Sequence, residues 1–66
     1  MQIEVNGKPR EVDDGASVAD LLGELELDER LVVVELNREI VRRNERSEVG
    51  LQPGDRIEIV HFVGGG

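Results

Sequence analysis

LVVVEL, residues 31–36, is the most strand-like run in the sequence. Three consecutive valines stand at its centre, and β-branched residues are enriched in strands. Because the apolar residues are consecutive, both faces of the predicted strand carry apolar side chains. One face can pack against another element, whereas the other has to meet a partner or face water.

The sequence after this strand predicts a hairpin and a final strand. Asn-Arg at 37–38 is expected to form a tight turn before a short returning strand at residues 39–41. The charged residues 42–48 are expected to be irregular. Pro-Gly-Asp at 53–55 then predicts a turn, because proline presets φ and glycine accepts the left-handed conformation. The last strand is predicted over residues 56–63.

The sequence before residue 31 opens with another predicted hairpin. Residues 1–6 alternate apolar and polar side chains, which is the period of a half-buried strand. Asn6-Gly7 is a strong hairpin signal, because both turn positions need positive φ. Residues 8–12 are therefore expected to return as a second strand, with Pro9 where no ladder hydrogen bond is needed.

A helix is predicted between the two hairpins. Ser17 can accept a hydrogen bond from a backbone N–H of the first turn, and Asp20 completes an acidic form of the capping box. Four apolar residues then recur at helical spacing and form a stripe that a sheet can cover: Val18, Leu21, Leu22 and Leu25. We therefore expect an α+β fold, a mixed sheet of four to five strands packed on one helix, in a single domain over residues 1–66.

The last predicted strand carries Phe62, the one aromatic residue of the sequence. If Ile57 and Ile59 pack on the helix, alternation turns Val60 and Phe62 to the open face of the sheet. These two side chains would lie beside the outer face of the strand at 31–36. An exposed apolar patch marks a binding surface more often than chance. The alternatives are that a loop covers the patch or that the register differs by one residue.

Composition excludes most kinds of catalytic and metal site. The 66 residues include no cysteine and one histidine, His61, so thiolate nucleophiles, disulfides and zinc sites lack ligands. The two serines are better explained as a helix cap and as part of a polar stretch, so no catalytic triad is expected. Paired carboxylates are the remaining alternative because acidic residues are plentiful, but so small a chain is not expected to form a pocket for them. We therefore expect a protein that is not an enzyme and that holds no metal.

The net charge of −7 argues against nucleic-acid binding, because phosphate contacts need lysine and arginine. Residues 1–33 carry a net charge of −6 and residues 34–66 a net charge of −1. The acidic half could steer the protein towards a basic partner, although an acidic face is more often only solvated. No apolar run approaches the roughly 20 residues of a membrane span, and no signal-peptide pattern is present, so a cytoplasmic location is expected.

Three glycines, Gly64, Gly65 and Gly66, follow the last predicted strand directly. Glycine has no Cβ, so a flexible tail of this kind can enter a channel too narrow for other residues. A frayed end is the alternative, since termini are often disordered. A carboxylate at Gly66 is a poor electrophile, but its acyl adenylate has a good leaving group that a sulfur nucleophile can displace. The sequence therefore points to chemistry at the Gly66 acyl carbon, with activation supplied by another protein.

Three segments resemble the ThiS family of thiamine-biosynthesis sulfur carriers. They are VELNREIV at 34–41, PGD at 53–55 and IEIVHFVGGG at 57–66. The resemblance covers essentially the whole chain. A Gly-Gly end alone is shared with ubiquitin and with the small subunit of molybdopterin synthase, whereas NREIV combined with HFVGGG is more specific. Arg42 departs from the family, in which proline often follows the valine, and this affects a loop.

The resemblance implies a ubiquitin-like β-grasp fold and a thiocarboxylate on Gly66. It implies that a ThiF-like adenylyltransferase of the ubiquitin-activating type uses ATP and Mg²⁺ to activate the terminus. A cysteine desulfurase or another sulfide source would supply sulfur, and a ThiG-like thiazole synthase would accept it. Gly64 and Gly65 would give access to the terminus, while three residues would contact partners: Val60, Phe62 and Val63. The chain itself would bind no cofactor.

Three other functions stay open on the residues alone. A sulfur carrier for molybdopterin or tRNA thiolation would use the same tail chemistry with another acceptor. A ubiquitin-like modifier would join Gly66 to a target lysine, although Lys8 as the sole lysine makes self-linked chains unexpected. A plain interaction module would use neither reaction.

Overall fold

The computed structural model describes residues 1–62 and contains a five-stranded sheet with one α-helix against its inner face. In chain order the main elements are β1 Gln2–Val5, β2 Lys8–Glu11, α1 Val18–Glu24, β3 Val32–Leu36, β4 Glu39–Val41 and β5 Arg56–His61. Two 3₁₀ turns cover Glu29–Leu31 and Arg43–Glu45. Within residues 1–62, no helix has the length and apolar character needed to cross a membrane.

The strand order is β2-β1-β5-β3-β4, so the last strand lies at the centre of the sheet. β5 pairs in parallel with β1 and antiparallel with β3, which makes the sheet mixed. The pairs β1/β2 and β3/β4 are the two antiparallel hairpins that the turn signals predicted. The expected α+β arrangement is confirmed, with five strands on one helix.

Both hairpins turn through an asparagine with positive φ. Asn6 and Gly7 have φ of 49° and 82°, and Asn37 and Arg38 have φ of 50° and 72°. Two consecutive left-handed residues are what a two-residue type I′ loop requires. The loop length therefore fixes the pairing register on either side of each turn.

The helix α1 begins with the predicted capping box. Ser17 Oγ accepts a hydrogen bond from the Asp20 N–H at 3.1 Å, and Asp20 Oδ2 accepts one from the Ser17 N–H at 2.9 Å. Both bonds satisfy backbone donors that the first helical turn leaves free. The buried face of α1 packs into a core of aliphatic side chains: Ile3, Val12, Ala16, Val18, Leu21, Leu22, Val32, Val34, Val41, Leu51, Ile57 and Ile59.

The segment 42–48 is more ordered than predicted. It includes a 3₁₀ turn, and the Arg46 side chain is only 4% exposed. The Arg46 guanidinium donates to the backbone carbonyls of Glu29 at 2.7 Å and Val32 at 2.8 Å. These bonds tie the segment to the start of β3. The prediction of an irregular stretch did not include the burial of Arg46, because a run of charged residues gives no sign that one of them is buried.

Candidate docking face and carrier terminus

β5 has one buried face and one exposed face. Ile57 and Ile59 lie in the core, whereas Glu58 and Val60 are exposed. We call the exposed side of the sheet, opposite α1, the outer face. The predicted alternation of β5 is confirmed: among residues 1–62, no loop buries Val60, and the register is the expected one.

Four apolar side chains on the outer face form what we call the apolar patch: Val33, Ile40, Val60 and Phe62. Val60 lies directly opposite Val33 on β3. The Phe62 N–H donates to the Leu31 carbonyl at 2.7 Å, so the pairing continues one residue past β5. Val60 is 52%, Phe62 54% and Ile40 61% exposed, which is unusual for large apolar residues gathered on one face.

Ile40 is a member of the apolar patch that the sequence-based prediction left out. The two-residue turn places Ile40 opposite Glu35 and Val41 opposite Val34. Because Val34 and Val41 are buried, the alternation of β4 turns Ile40 outward. The signal was present in the sequence, since counting outward from the turn at 37–38 gives this register.

An acidic groove adjoins the apolar patch at the start of β5. It has a volume of about 570 Å³ and is lined by Glu4, Gly7, Glu35, Asn37, Arg38, Arg56, Ile57 and Glu58. Glu35 and Glu58 are directly opposite each other on β3 and β5. Arg56 Nε lies 3.7 Å from Glu4 Oε2, so this arginine forms its ion pair with Glu4. The sequence-based prediction did not find the groove, because it is assembled from three strands.

Two turn asparagines hold β5 from its two sides. Asn6 Oδ1 accepts the Ile59 N–H at 2.8 Å, and Asn6 Nδ2 donates to the Ile59 carbonyl at 3.2 Å. Asn37 Oδ1 accepts the Arg56 N–H at 3.0 Å, and Asn37 Nδ2 donates to Asp55 Oδ1 at 3.1 Å. The residues that make the hairpin turns therefore also fix the strand that precedes the glycines.

The predicted site residues divide into two groups. Val60 and Phe62 lie on the outer face as predicted, and their role in docking stays a prediction. The others lie outside the described residues: Val63, Gly64, Gly65 and Gly66. Among residues 1–62, no group of three or more histidine, aspartate or glutamate side chains is placed to hold a metal ion.

Comparison with known proteins identifies the family. The model of the ThiS family matches residues 3–66. The sulfur carrier protein ThiS of Bacillus subtilis is 43% identical over 65 residues, which cover 97% of this chain and 98% of that protein. Two thiazole synthases, from Paramagnetospirillum magneticum and Magnetococcus marinus, are 44% and 41% identical over the whole chain. The chain spans 20% of the length of each of these two relatives.

Solved structures agree with the family match. The crystal structure of ThiS from Geobacter metallireducens has a TM-score of 0.83 at 38% identity, with both chains fully covered. A solution structure of a thiamine biosynthesis protein from the same organism has a TM-score of 0.82 at 38% identity, covering all of this chain and 88% of that one. The mixed five-stranded sheet on one helix is thus the β-grasp fold of those proteins. The chain belongs to the ThiS family, the sulfur carrier proteins of thiamine biosynthesis.

Proposed function

We propose that this chain carries sulfur on the acyl carbon of Gly66 and delivers it to a thiazole synthase. A ThiF-like adenylyltransferase of the ubiquitin-activating type joins the Gly66 carboxylate to the α-phosphate of ATP with the help of Mg²⁺, and pyrophosphate leaves. Hydrosulfide, released by a thiol reductant from the persulfide of a cysteine desulfurase or supplied by another sulfide source, then attacks the acyl carbon, and AMP leaves. The resulting thiocarboxylate donates its sulfur to the ThiG-like thiazole synthase.

The main support for the proposal is that two members of the apolar patch lie at the end of β5. Val60 is within β5, and Phe62 directly follows it. The sequence of β5 continues through Phe62 into Val63 and the three glycines. The four residues from Phe62 to Gly66 reach at most roughly 14 Å when extended. A partner that docks on Val60 and Phe62 therefore has the Gly66 carboxylate within the radius of one active site. The carrier supplies recognition and reach, and the partner supplies the catalytic groups.

The two thiazole synthase relatives support the identity of the sulfur acceptor. In each of them, a segment similar to the whole of this chain accounts for 20% of the length. A carrier-like segment and the rest of a thiazole synthase thus share one polypeptide, and such linkage raises the effective concentration of one for the other. For this chain we infer a ThiG-like thiazole synthase as the partner. The cytoplasm, which keeps thiols reduced, is the compartment that we propose.

Intact mass spectrometry of the chain purified from its native host tests the proposal. We expect a species in which one oxygen at Gly66 is replaced by sulfur. Adducts that join Gly66 to larger proteins would identify a ubiquitin-like modifier instead. Finding neither species in cells that are making thiamine would contradict both functions and leave an interaction module.

A variant that lacks Gly65 and Gly66 tests whether adenylation requires the last two residues. The sheet, the helix and the core all lie within residues 1–62, so the truncated chain should unfold at the temperature of the intact chain. We expect it to lose ATP-dependent adenylation by the partner enzyme entirely. Adenylation of the truncated chain would place the reactive carboxylate elsewhere and overturn the proposal.

A further inference from the structure

Glu35 and Glu58 are a like-charged pair that the domain does not neutralise. They face each other across β3 and β5, where opposed side chains have Cβ atoms about 5 Å apart and like charges destabilise the sheet. Arg38 and Arg56 also line the acidic groove. Within residues 1–62, however, neither arginine forms an ion pair with Glu35 or Glu58, and Arg56 pairs with Glu4. Within the described residues, the two carboxylates therefore face each other without a cation paired to either of them.

The acid pair and the apolar patch form one continuous face. Glu35 lies between Glu58 on β5 and Ile40 on β4, and the neighbouring Val33–Val60 pair is one outward step further along the same strands. A partner that covers the apolar side chains must therefore take these two carboxylates partly out of water. Desolvated carboxylates are costly unless a cation pairs with them. The occupant of this face has to bring both apolar side chains and positive charge.

Other occupants of the outer face are less suitable. A second copy of the chain in a two-fold dimer would place the same acidic groove near its own image, and each copy has a net charge of −7. Anionic lipid surfaces and nucleic acids would be repelled for the same reason. The occupant that remains is a protein with a lysine or arginine beside an apolar surface.

Building on the proposed function above, we propose that the acidic groove receives a lysine or arginine side chain of the adenylating enzyme. That side chain lies between Glu35 and Glu58 while the apolar surface around it covers the apolar patch. The glycines that enter the active site have no side chains, so the tail alone cannot distinguish one carrier from another. The enzyme that first modifies the terminus must therefore recognise the folded domain, and a buried cation between two carboxylates gives that recognition.

The test compares the double variant Glu35→Gln/Glu58→Gln with the double variant Glu24→Gln/Glu48→Gln. Both pairs lose the same charge, and both control residues are exposed. Glu24 lies on α1, and Glu48 directly precedes Val49, whose carbonyl accepts the Val18 N–H of α1. Adenylation by the adenylating enzyme of the same organism is measured at low and at high salt, together with the stability of each variant. At low salt we expect the KM for the first variant to rise roughly tenfold and that for the second to rise less than twofold.

The remaining measurements separate the explanations. The first variant should be at least as stable as the wild type, because it loses a repulsion, and its KM should depend less on salt. Equal effects of the two double variants would reduce the result to net charge and overturn the inference. Weakening of binding to thiazole synthase without any change in adenylation would also overturn it. If the wild-type chain itself is not adenylated, the proposed function fails together with the inference.

Discussion

Asn6 takes the place of a strand partner for Ile59. Its side-chain amide pairs with both the N–H and the carbonyl of Ile59, at 2.8 Å and 3.2 Å, across 53 residues of sequence. β1 ends at Val5, and the backbone has already turned away at this level of the sheet. The side chain thus extends the hydrogen bonding on the β1 side of β5 by one step.

Replacing Asn6 by glycine should destabilise the protein by about 1–2 kcal/mol, because the partly buried N–H and carbonyl of Ile59 lose their partner. Glycine accepts the φ of 49° at this position, so the turn itself is retained. Urea denaturation measures the effect. The control is Lys8→Ala, an exposed neighbour, which should change the free energy of unfolding by less than about 0.5 kcal/mol. Equal stability of the two variants would show that the amide pairing contributes nothing.

Replacing Arg46 by methionine should cost about 2 kcal/mol. The apolar stem of the side chain is retained, but the carbonyls of Glu29 and Val32 lose a charged donor. Arg43→Met, at an exposed position of the same segment, is the control and should be nearly neutral. A stable Arg46→Met variant would mean that the cost of burying the cation cancels its hydrogen bonds.

Two glycines should respond in opposite directions to alanine. Gly23 lies inside α1, and a Cβ there would meet no atom within 4 Å, so Gly23→Ala should stabilise by about 0.5–1 kcal/mol. Gly15 has a φ of 85°, so Gly15→Ala should destabilise by about 1–2 kcal/mol. Thermal unfolding of the two variants side by side checks both signs. A loss of stability in Gly23→Ala would contradict the open space around this position and show that a Cβ is not tolerated there.

Phe62→Ala should weaken partner binding more than folding. The side chain is 54% exposed, so we expect the free energy of unfolding to fall by less than about 1 kcal/mol and the Kd for the adenylating enzyme to rise tenfold or more. Ile59→Ala, in the buried face of the same strand, is the opposite case and should cost about 2–5 kcal/mol of stability. Unchanged binding by Phe62→Ala would remove Phe62 from the docking surface.

Asp28 should contribute to the loss of folding stability at low pH. Hydrogen bonds from the Arg30 side chain, at 3.1 Å and 2.9 Å, and from the Arg30 N–H lower the pKa of Asp28 from 3.8 to about 2. Because the folded pKa is the lower one, the contribution is full above about pH 4 and is lost as the pH falls towards 2. An NMR titration of the Asp28 carboxyl measures this pKa. Arg30→Gln should return it towards 3.8, and an unchanged value would exclude the Arg30 side chain as the cause.

Local patterns predicted the elements, and pairing between distant strands supplied the rest. The capping box at Ser17, both asparagine turns and the outward facing of Val60 depend on spacing within a few residues, and each is present in the structure. The opposition of Glu35 and Glu58, by contrast, depends on β3 lying beside β5, which no local pattern specifies. The burial of Arg46 depends on carbonyls 14 and 17 residues earlier in the chain. The acidic groove and the hydrogen bonds of Arg46 could therefore not be predicted from the spacing of residues alone.

The central position of β5 also determines how the domain bears mechanical load. A pull applied at the C-terminal end of β5 would pass along this strand, which is hydrogen-bonded to β1 on one side and to β3 on the other. Pulling along the strand axis shears many hydrogen bonds at once, whereas a strand at the border of the sheet could be peeled away bond by bond. The central place of β5 should therefore let the sheet stay paired under a pull that would detach an edge strand.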